Sequence, residues 1–600
     1  MYSIMNIHED CKMNAEAETN EPSTIPTTFR LPIAYLEKSS IHELNKVVSD
    51  DLELVQIQDL SANDKNIYEH LFLPQHEYAR NMITQWNQYY TSNQVFLNDT
   101  KKVVSSMDQY KERMNNTPYS IDCKKINHIW KNVREDPYFM EKYNYIDWQM
   151  FSQFNESASF LQCMTFVQVM SPAISFLLPI LFLIFPFILL KIQGVPMTAE
   201  SYVSSLKHIA KNHFIGKALV GMSSLSWDKL FYLAFLVAMY GFQIYQNVSI
   251  CRRFYANVIQ VNQNLLDLKE YVDYSLHSIE YFSDIVDTNT STYGNFCNDM
   301  QECYSSLKQL QSDLNPIYPF ELNISKFGEI GYMLKCYYQI HTNSAYASCI
   351  QYSVGFEGYI NNLLGVHDNL HSGIVSFASF NDQNNCTFKQ QFYPVLSDSE
   401  SVRNTCDFKK NMIISAPNKS GKTTILKTTA INIIFSQQVG CGFYQSASLT
   451  PYTHIHSYIN IPDTSGRDSL FQAESRRCKE IIECIVENQD SNHRHFCMFD
   501  ELYSGTNPTE ASKAGYAFLQ YLQEYSNVNY ILTTHYLSIC KQYKKSNVVQ
   551  NYKMEVIVRP SGSLTYTYKL KKGMSRIKGG VRVLKDMNYP TKIIETIENM

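Results

Sequence analysis

Three apolar runs in the last third of the chain end in polar tips, and the first leads through a tight loop straight into a helix. It reads Ile413-Ile-Ser-Ala-Pro-Asn-Lys-Ser-Gly-Lys-Thr-Thr424 and continues through the apolar stretch Ile425 to Phe435. A short apolar run bounded by turn residues reads as a buried strand, and the longer periodic run after it as a helix. Strand, glycine-bearing loop and helix in that order form the P-loop pattern. Its backbone N–H groups and helix N-terminus attract phosphate. The general pattern has a glycine where Ala416 stands, so the loop alone is an incomplete match.

The second run, His495-Phe-Cys-Met-Phe-Asp-Glu501, ends in two carboxylates about 80 residues after the loop, which is the Walker B form. The third, Tyr530-Ile-Leu-Thr-Thr-His535, ends in a histidine. These residues take roles by chemical type. Lys422 reaches β- and γ-phosphates, Thr423 offers its hydroxyl to Mg²⁺, and Asp500 holds the same ion. Glu501 orients or deprotonates the attacking water, and His535 senses the γ-phosphate. Elsewhere an Asp-Glu pair is a solvated turn or a helix N-cap, and a lone histidine is structural. The order of the three runs favours the catalytic reading. Ala416, Pro417, Asn418, Lys419, Ser420, Gly421, Lys422, Thr423 and Thr424 are then the nucleotide-binding candidates, Thr423 and Asp500 the metal ligands, and Glu501 and His535 the catalytic pair. ATP and Mg²⁺ are the expected ligands.

Six hundred residues predict two to four domains. A net charge of −5 carries no whole-chain signature of nucleic-acid binding, although a local basic face is compatible with it. Fifteen cysteines without Cys-x-x-Cys pairs argue against a disulfide framework or zinc site and for reduced thiols. Residues 1–28 are polar, with no apolar run of the kind a cleaved leader has, and read as a disordered tail. Residues 29–158 read as mostly helical and carry no catalytic pattern.

Residues 159–250 differ from the rest. Phe160 to Leu190 and Leu230 to Ile250 contain no Asp, Glu, Lys or Arg, and each is long enough to cross a bilayer as a helix. The first is interrupted by Pro172, Pro179 and Pro186, which suits a spanning helix, a kink or a re-entrant hairpin. The second ends in Gln243, Gln246 and Asn247. Between them lies a basic loop with Lys191, Lys207, Lys211, Lys217 and Lys229 against Glu200 and Asp228. A pair of helices buried in a soluble core is the competing reading. From 251 to 380 a heptad seam follows: Phe254, Val258, Val261, Leu265, Leu268, Val272, Ser275, Ile279, Phe282 and Val286. Residues 289–294 break it, and Phe296, Met300, Cys303, Leu307, Leu310 and Leu314 resume it before Pro316. An antiparallel hairpin packing on itself and a rod for dimerisation or clamping both fit. Residues 381–600 form the domain with the three motifs.

At these motifs the chain resembles the MutS family of DNA mismatch repair ATPases. Ala416-Pro-Asn-Lys-Ser-Gly-Lys-Thr423 is similar to the family's Gly-Pro-Asn-Met-Gly-Gly-Lys-Ser/Thr, with Ala416 and Ser420 in place of glycines. Asp500-Glu-Leu-Tyr-Ser-Gly-Thr506 resembles its Asp-Glu-x-x-x-Gly-Thr, and Thr534-His-Tyr536 its Thr-His-Tyr. Asp463 to Glu474 looks like its signature loop, and Gly573 to Pro590 like its closing segment. The resemblance implies an ABC-type P-loop ATPase that dimerises through these domains. Ser465 and Gly466 of one subunit then complete the other's site, and Asn418 contacts phosphate or the transition-state charge. The fold class is accordingly α plus α/β: a helical and coiled-coil region with a membrane-type apolar hairpin, then the ATPase domain. The family's N-terminal mismatch reader, with its Phe-x-Glu wedge, has no recognisable counterpart. The expected partners are a second copy of the chain, DNA and a membrane, with no small-molecule substrate besides ATP. A membrane-bound ABC-type mechanochemical ATPase that does not recognise DNA is the alternative. The expected location is a membrane with the ATPase domain on the cytosolic side, or else the soluble cytoplasm or nucleus.

Overall fold

The computed structural model describes residues 25–56, 65–194, 196, 198, 200–204, 227–320, 327–396, 401–461, 469–490, 492–559, 564–575, 577, 584, 587 and 589–598. Ser465, Gly466, Lys207, Lys211, Lys217 and nearly all of the 1–28 tail lie outside them. The chain divides into two compact units, each assembled from separate stretches.

The first unit comprises Tyr119–Tyr274 and Ser306–Ser348, with Met1–Ile25 assigned to it. Its helix α1, Ala158–Ile192, is 35 residues long, about 52 Å at the α-helical rise. The Ser157 side chain caps its start by accepting from the Phe160 N–H. The three prolines lie within one continuous helix. Helix α2, Trp227–Asn289, is 63 residues long, and its first part lies antiparallel to α1. Tyr240 donates its hydroxyl proton to the Ser175 carbonyl at 2.9 Å, and Asn247 Nδ2 donates to Ser175 Oγ at 2.5 Å. Thus Asn247, one of the polar residues that end the second segment, finds its partner inside the helix pair. The outer faces are bare: Phe166, Phe176, Leu181 and Phe185 on α1 and Phe231, Phe235 and Phe242 on α2 are exposed. In the window Ala158–Leu178, mean hydropathy is 1.5 and only 11% is buried. Among the described residues, little covers these side chains. Among the described residues this is the one helix long and apolar enough to cross a membrane.

Helix α3, Gly294–Leu314, follows the break, and Pro316 lies just beyond its end. Every residue of the heptad seam, from Phe254 to Leu314, is buried. In the first unit Gln311 Nε2 donates to Asp273 Oδ1 at 2.6 Å, and in the second Gln301 Nε2 donates to Ser283 Oγ at 3.4 Å. Rising numbers on one helix meet falling numbers on the other, so the seam closes an antiparallel hairpin within the chain.

The second unit comprises Pro26–Pro118, Ser275–Ser305 and Cys349–Met600. Helix α4, Ser344–His371, runs through its helical core, where Phe356 meets Phe282 edge-on at 5.6 Å. A Cβ at Gly365 would lie 1.7 Å from the Phe72 carbonyl oxygen, so only glycine permits this approach. The main sheet has strands β1 Asn411–Ser415, β2 His454–Tyr458, β3 His495–Asp500, β4 Val528–Thr534, β5 Val549–Val558 and β6 Leu564–Lys572. Their order is β6-β5-β1-β4-β3-β2. The first five are mutually parallel, and β6 pairs antiparallel to β5. Parallel sheets are covered on both faces, which explains why β1, β3 and β4 are almost continuously apolar. Helices α5 Lys422–Val439, α6 Leu470–Glu487 and α7 Pro508–Leu522 accompany them. Phe499, Phe518, Tyr530, Ile481 and Leu532 share one core cluster, and each such side chain contributes about 1.5–3 kcal/mol on burial.

A second sheet of five short strands begins with Ser376–Phe380, ahead of the residue-381 boundary. Residues 26–118 also belong to this unit, although composition groups them with 29–158. They are tied to the end of α5: Gln438 Nε2 donates to the carbonyls of Trp86 at 2.6 Å and Tyr89 at 2.8 Å. Tyr68 donates its hydroxyl proton back to Gln438 Oε1 at 3.1 Å.

Candidate functional site

The C-terminal tips of β1, β3 and β4 lie side by side because their register pairs Asp500 with Thr533 and Thr534 with Ser415. Adjacent parallel strands bring their ends to one edge, where the crevice of an open α/β sheet forms. All three apolar runs therefore deliver their polar ends to one place.

The loop from Ala416 to Gly421 turns the chain from β1 into α5. Lys419 and Gly421 take left-handed backbone conformations, with φ of 62° and 85°. A Cβ at Gly421 would also press on the Tyr568 ring at 3.1 Å, so glycine is required there. The two replacements for the family's glycines are accommodated differently. Ala416 is buried and offers its carbonyl to Lys422 Nζ at 3.0 Å. Ser420 turns its hydroxyl inward and donates to the Pro417 carbonyl at 2.7 Å. Asn418 and Lys419 are exposed on the rim. Helix α5 starts at Lys422, with Thr423 and Thr424 in its first turn and no side chain capping its N-terminus. Those first N–H groups are free of local side-chain acceptors, which suits a bound anion.

Lys422 is 6% exposed. Its ammonium lies 3.4 Å from Glu501 Oε1 and 2.6 Å from His535 Nε2. Burial pushes its pKa down, and the charge of Glu501 pushes it back up. The Glu501 carboxyl is held below its ordinary range, first by the hydrogen bond from His535 and then against the effect of burial. His535 Nε2 also stands 2.8 Å from Glu501 Oε1 and 2.6 Å from Asn418 Oδ1. One ring nitrogen cannot accept from Lys422 while donating to the other two, so these three contacts are alternatives that a proton shift interconverts. Thr423 Oγ1 donates to Asp500 Oδ2 at 2.8 Å, and Thr533 Oγ1 donates to Asp500 Oδ1. A hydroxyl and a carboxylate so placed are hard oxygen donors of the kind Mg²⁺ takes. Glu501 is fixed past the strand tip by its N–H bond to the Thr533 carbonyl at 3.0 Å, with φ of 55°.

The structure thus brings together Ala416 through Thr424, Asp500, Glu501 and His535. Ser465 and Gly466 fall outside the described residues. It also adds residues that carry no motif. Tyr566, Leu537, Ser575 and Ile577 line a cavity of about 220 Å³ with Ala416, Pro417, Asn418 and His535. Glu474 is buried on α6 and accepts from Ser504 Oγ at 2.8 Å and from the Gly505 N–H at 3.1 Å. It therefore pins the turn after Glu501. Its signal in sequence was only its place at the end of the signature-like stretch.

One edge of the parallel sheet thus presents a lysine-bearing loop, a helix N-terminus and paired carboxylates together. Residues 412–600, about a third of the chain, match the family model described as MutS domain V. An "Endonuclease MutS2" of Staphylococcus saprophyticus is 27% identical over 213 residues, covering 35% of this chain and 26% of that protein. The "Endonuclease MutS2" of Alkaliphilus metalliredigens is 29% identical over 221 residues, 36% of this chain and 27% of that protein. A "DNA mismatch repair protein MutS" of Streptococcus sanguinis is 24% identical over 188 residues, 31% and 21% respectively. The chain matches about a quarter of the length of these curated relatives.

Proposed function

We propose that this chain is a MutS-type ATPase that binds and hydrolyses MgATP, works as a homodimer through its ATPase domains, acts on DNA and is held at a membrane by the α1–α2 hairpin. The observation that carries the ATPase reading is the convergence of Lys422, Thr423, Asp500, Glu501 and His535 at the start of α5. Mg²⁺ bound between Thr423 and Asp500 would neutralise phosphate charge. Lys422 would leave Glu501 and His535 for the β- and γ-phosphates. Glu501, freed from that ion pair, would take the proton of the attacking water, while His535 and Asn418 would read whether the γ-phosphate is present. Closure of the dimer with nucleotide and reopening after hydrolysis would follow from the different affinity of the two states for ATP.

The DNA arm rests on the relatives' names, two of which are printed as an endonuclease and one as a mismatch repair protein. Its test is duplex, mismatched and branched DNA binding by the purified full chain across a salt series. Nucleotide-dependent affinity that falls steeply with salt is expected. Absence of binding to all three at low salt would leave the membrane-bound ATPase without DNA as the function.

That second reading is favoured by the bare apolar faces of α1 and α2. Exposed apolar surface of this extent marks a membrane or protein contact, and helices satisfy nearly all their backbone groups internally, as lipid requires. Alkaline carbonate extraction of expressing cells should leave the chain in the membrane pellet. Full release into the supernatant is the contrary outcome.

A further inference from the structure

At the opposite end of β2 and β3 from the nucleotide loop, five imidazoles and one thiol crowd together. β2 carries His454 and His456 two residues apart, so the strand's alternation sets both on one face. β3 begins with His495, which pairs in register with His454. Cys484 comes from the last turns of α6, while His493 precedes β3 and His42 comes from the short strand Ile41–Glu43. The rings of His454 and His495 stack at 4.6 Å, and His493 and His42 stand 5.4 Å and 6.4 Å from His454.

We propose that His456, His495 and Cys484 form a binding site for a borderline-soft divalent cation, Zn²⁺ by its donor set, separate from the ATP–Mg²⁺ site. One ligand atom from each of the three lies within 4.8 Å of the others, and His456 Nε2 is 3.1 Å from His495 Nδ1. Ligand atoms around tetrahedral Zn²⁺ are roughly 3.4–3.6 Å apart, given Zn–N and Zn–S bonds of about 2.0–2.1 and 2.3 Å. His495 Nε2 lies 3.0 Å from the Asn488 carbonyl, to which it can donate its proton. That bond fixes the tautomer whose Nδ1 lone pair points at His456, the arrangement that orients metal-ligating histidines. The site opens on a cavity of about 420 Å³ lined by His42, His454, Arg477 and Glu480 as well as His456 and Cys484, which leaves room for water as the fourth ligand.

The nitrogen and sulfur donors exclude Mg²⁺ and Ca²⁺, which take oxygen. Asp500 closes the same strand five residues beyond His495, about 17 Å away at the β rise.

Absence of Cys-x-x-Cys pairs argued against zinc, and here the ligands come from three separate segments instead. The test is Co²⁺ and Zn²⁺ titration of the purified, chelator-treated full chain in excess Mg²⁺, read by absorbance. One equivalent of Co²⁺ should give a thiolate-to-cobalt charge-transfer band that Zn²⁺ bleaches. Cys484→Ser should abolish the band, and His456→Asn should weaken Co²⁺ binding by roughly tenfold or more. The band in the unaltered chain needs no variant to fold, and thermal unfolding checks both variants. No charge-transfer band in the unaltered chain, or an undiminished band in Cys484→Ser, overturns the proposal.

Discussion

Lys422→Met should abolish ATP hydrolysis and weaken nucleotide binding while leaving the fold intact. Methionine keeps most of the apolar stem that packs in this buried position and removes only the ammonium. Lys422 Nζ lies within hydrogen-bonding range of the Ala416 carbonyl, Glu501 and His535, at the head of a helix with no other buried cation in its first turn. Lys419, the loop's other lysine, is exposed. A charge-assisted hydrogen bond contributes about 1.5–3 kcal/mol, so ATP affinity should fall roughly ten- to hundredfold. Charge builds on the transferring phosphoryl group during reaction, so turnover should fall further, by about 10²–10³. Fluorescent-nucleotide titration and phosphate release separate the two effects. Affinity and turnover equal to the unaltered chain would remove Lys422 from the phosphate site and, with it, the ATPase reading of the loop.

That the sequence pattern alone brings Lys422, Asp500 and His535 to one edge has a physical reason. Each motif is local: a strand, a polar tip and a following turn or helix, all within a dozen residues. A parallel sheet then aligns the tips whatever the intervening chain does. The heptad seam was legible for the same reason, since a spacing of four and three places Phe254 through Leu314 on one buried stripe. What local pattern leaves open is which surface a stripe meets. Both a self-packed hairpin and a dimer rod satisfy the periodicity, and only the pairing of Gln311 with Asp273 and Gln301 with Ser283 selects the hairpin.

Features made by distant segments were illegible. The contacts of Tyr68, Trp86 and Tyr89 with Gln438 join residues some 350 apart, and nothing in residues 26–118 announces that they support the loop helix. Tyr566 lines the same cavity as Asn418 from a strand with no motif of its own. The histidine cluster draws on β2, β3 and α6, and its one sequence trace is the pair His454 and His456. The apolar helices stand between these cases. Composition made them membrane candidates, and it took three-dimensional packing to show their outer faces uncovered.

Glu501→Gln should separate binding from chemistry more sharply than any change in the loop. The substitution keeps the side chain's volume and one hydrogen-bonding oxygen for His535 Nε2, now 2.8 Å away. It removes the charge beside Lys422 and the capacity to take a proton. Nucleotide affinity should stay within about a factor of two, or rise, because phosphate no longer competes with a carboxylate for Lys422. Turnover should fall by about 10²–10⁴, the range a positioned general base contributes. The backbone at Glu501 adds force to this assignment. A left-handed φ of 55° on a non-glycine residue is costly, and the Thr533 carbonyl holds it there. A side chain serving only as a solvated turn residue would have no use for that placement next to Asp500. If the ATP-bound state drives subunits together, the variant should accumulate as a dimer in ATP, seen by light scattering, while the unaltered chain returns to its resting state as ATP is consumed. Unimpaired hydrolysis by Glu501→Gln would shift the role of base to another group at the strand tips, and His535 is the neighbour within reach.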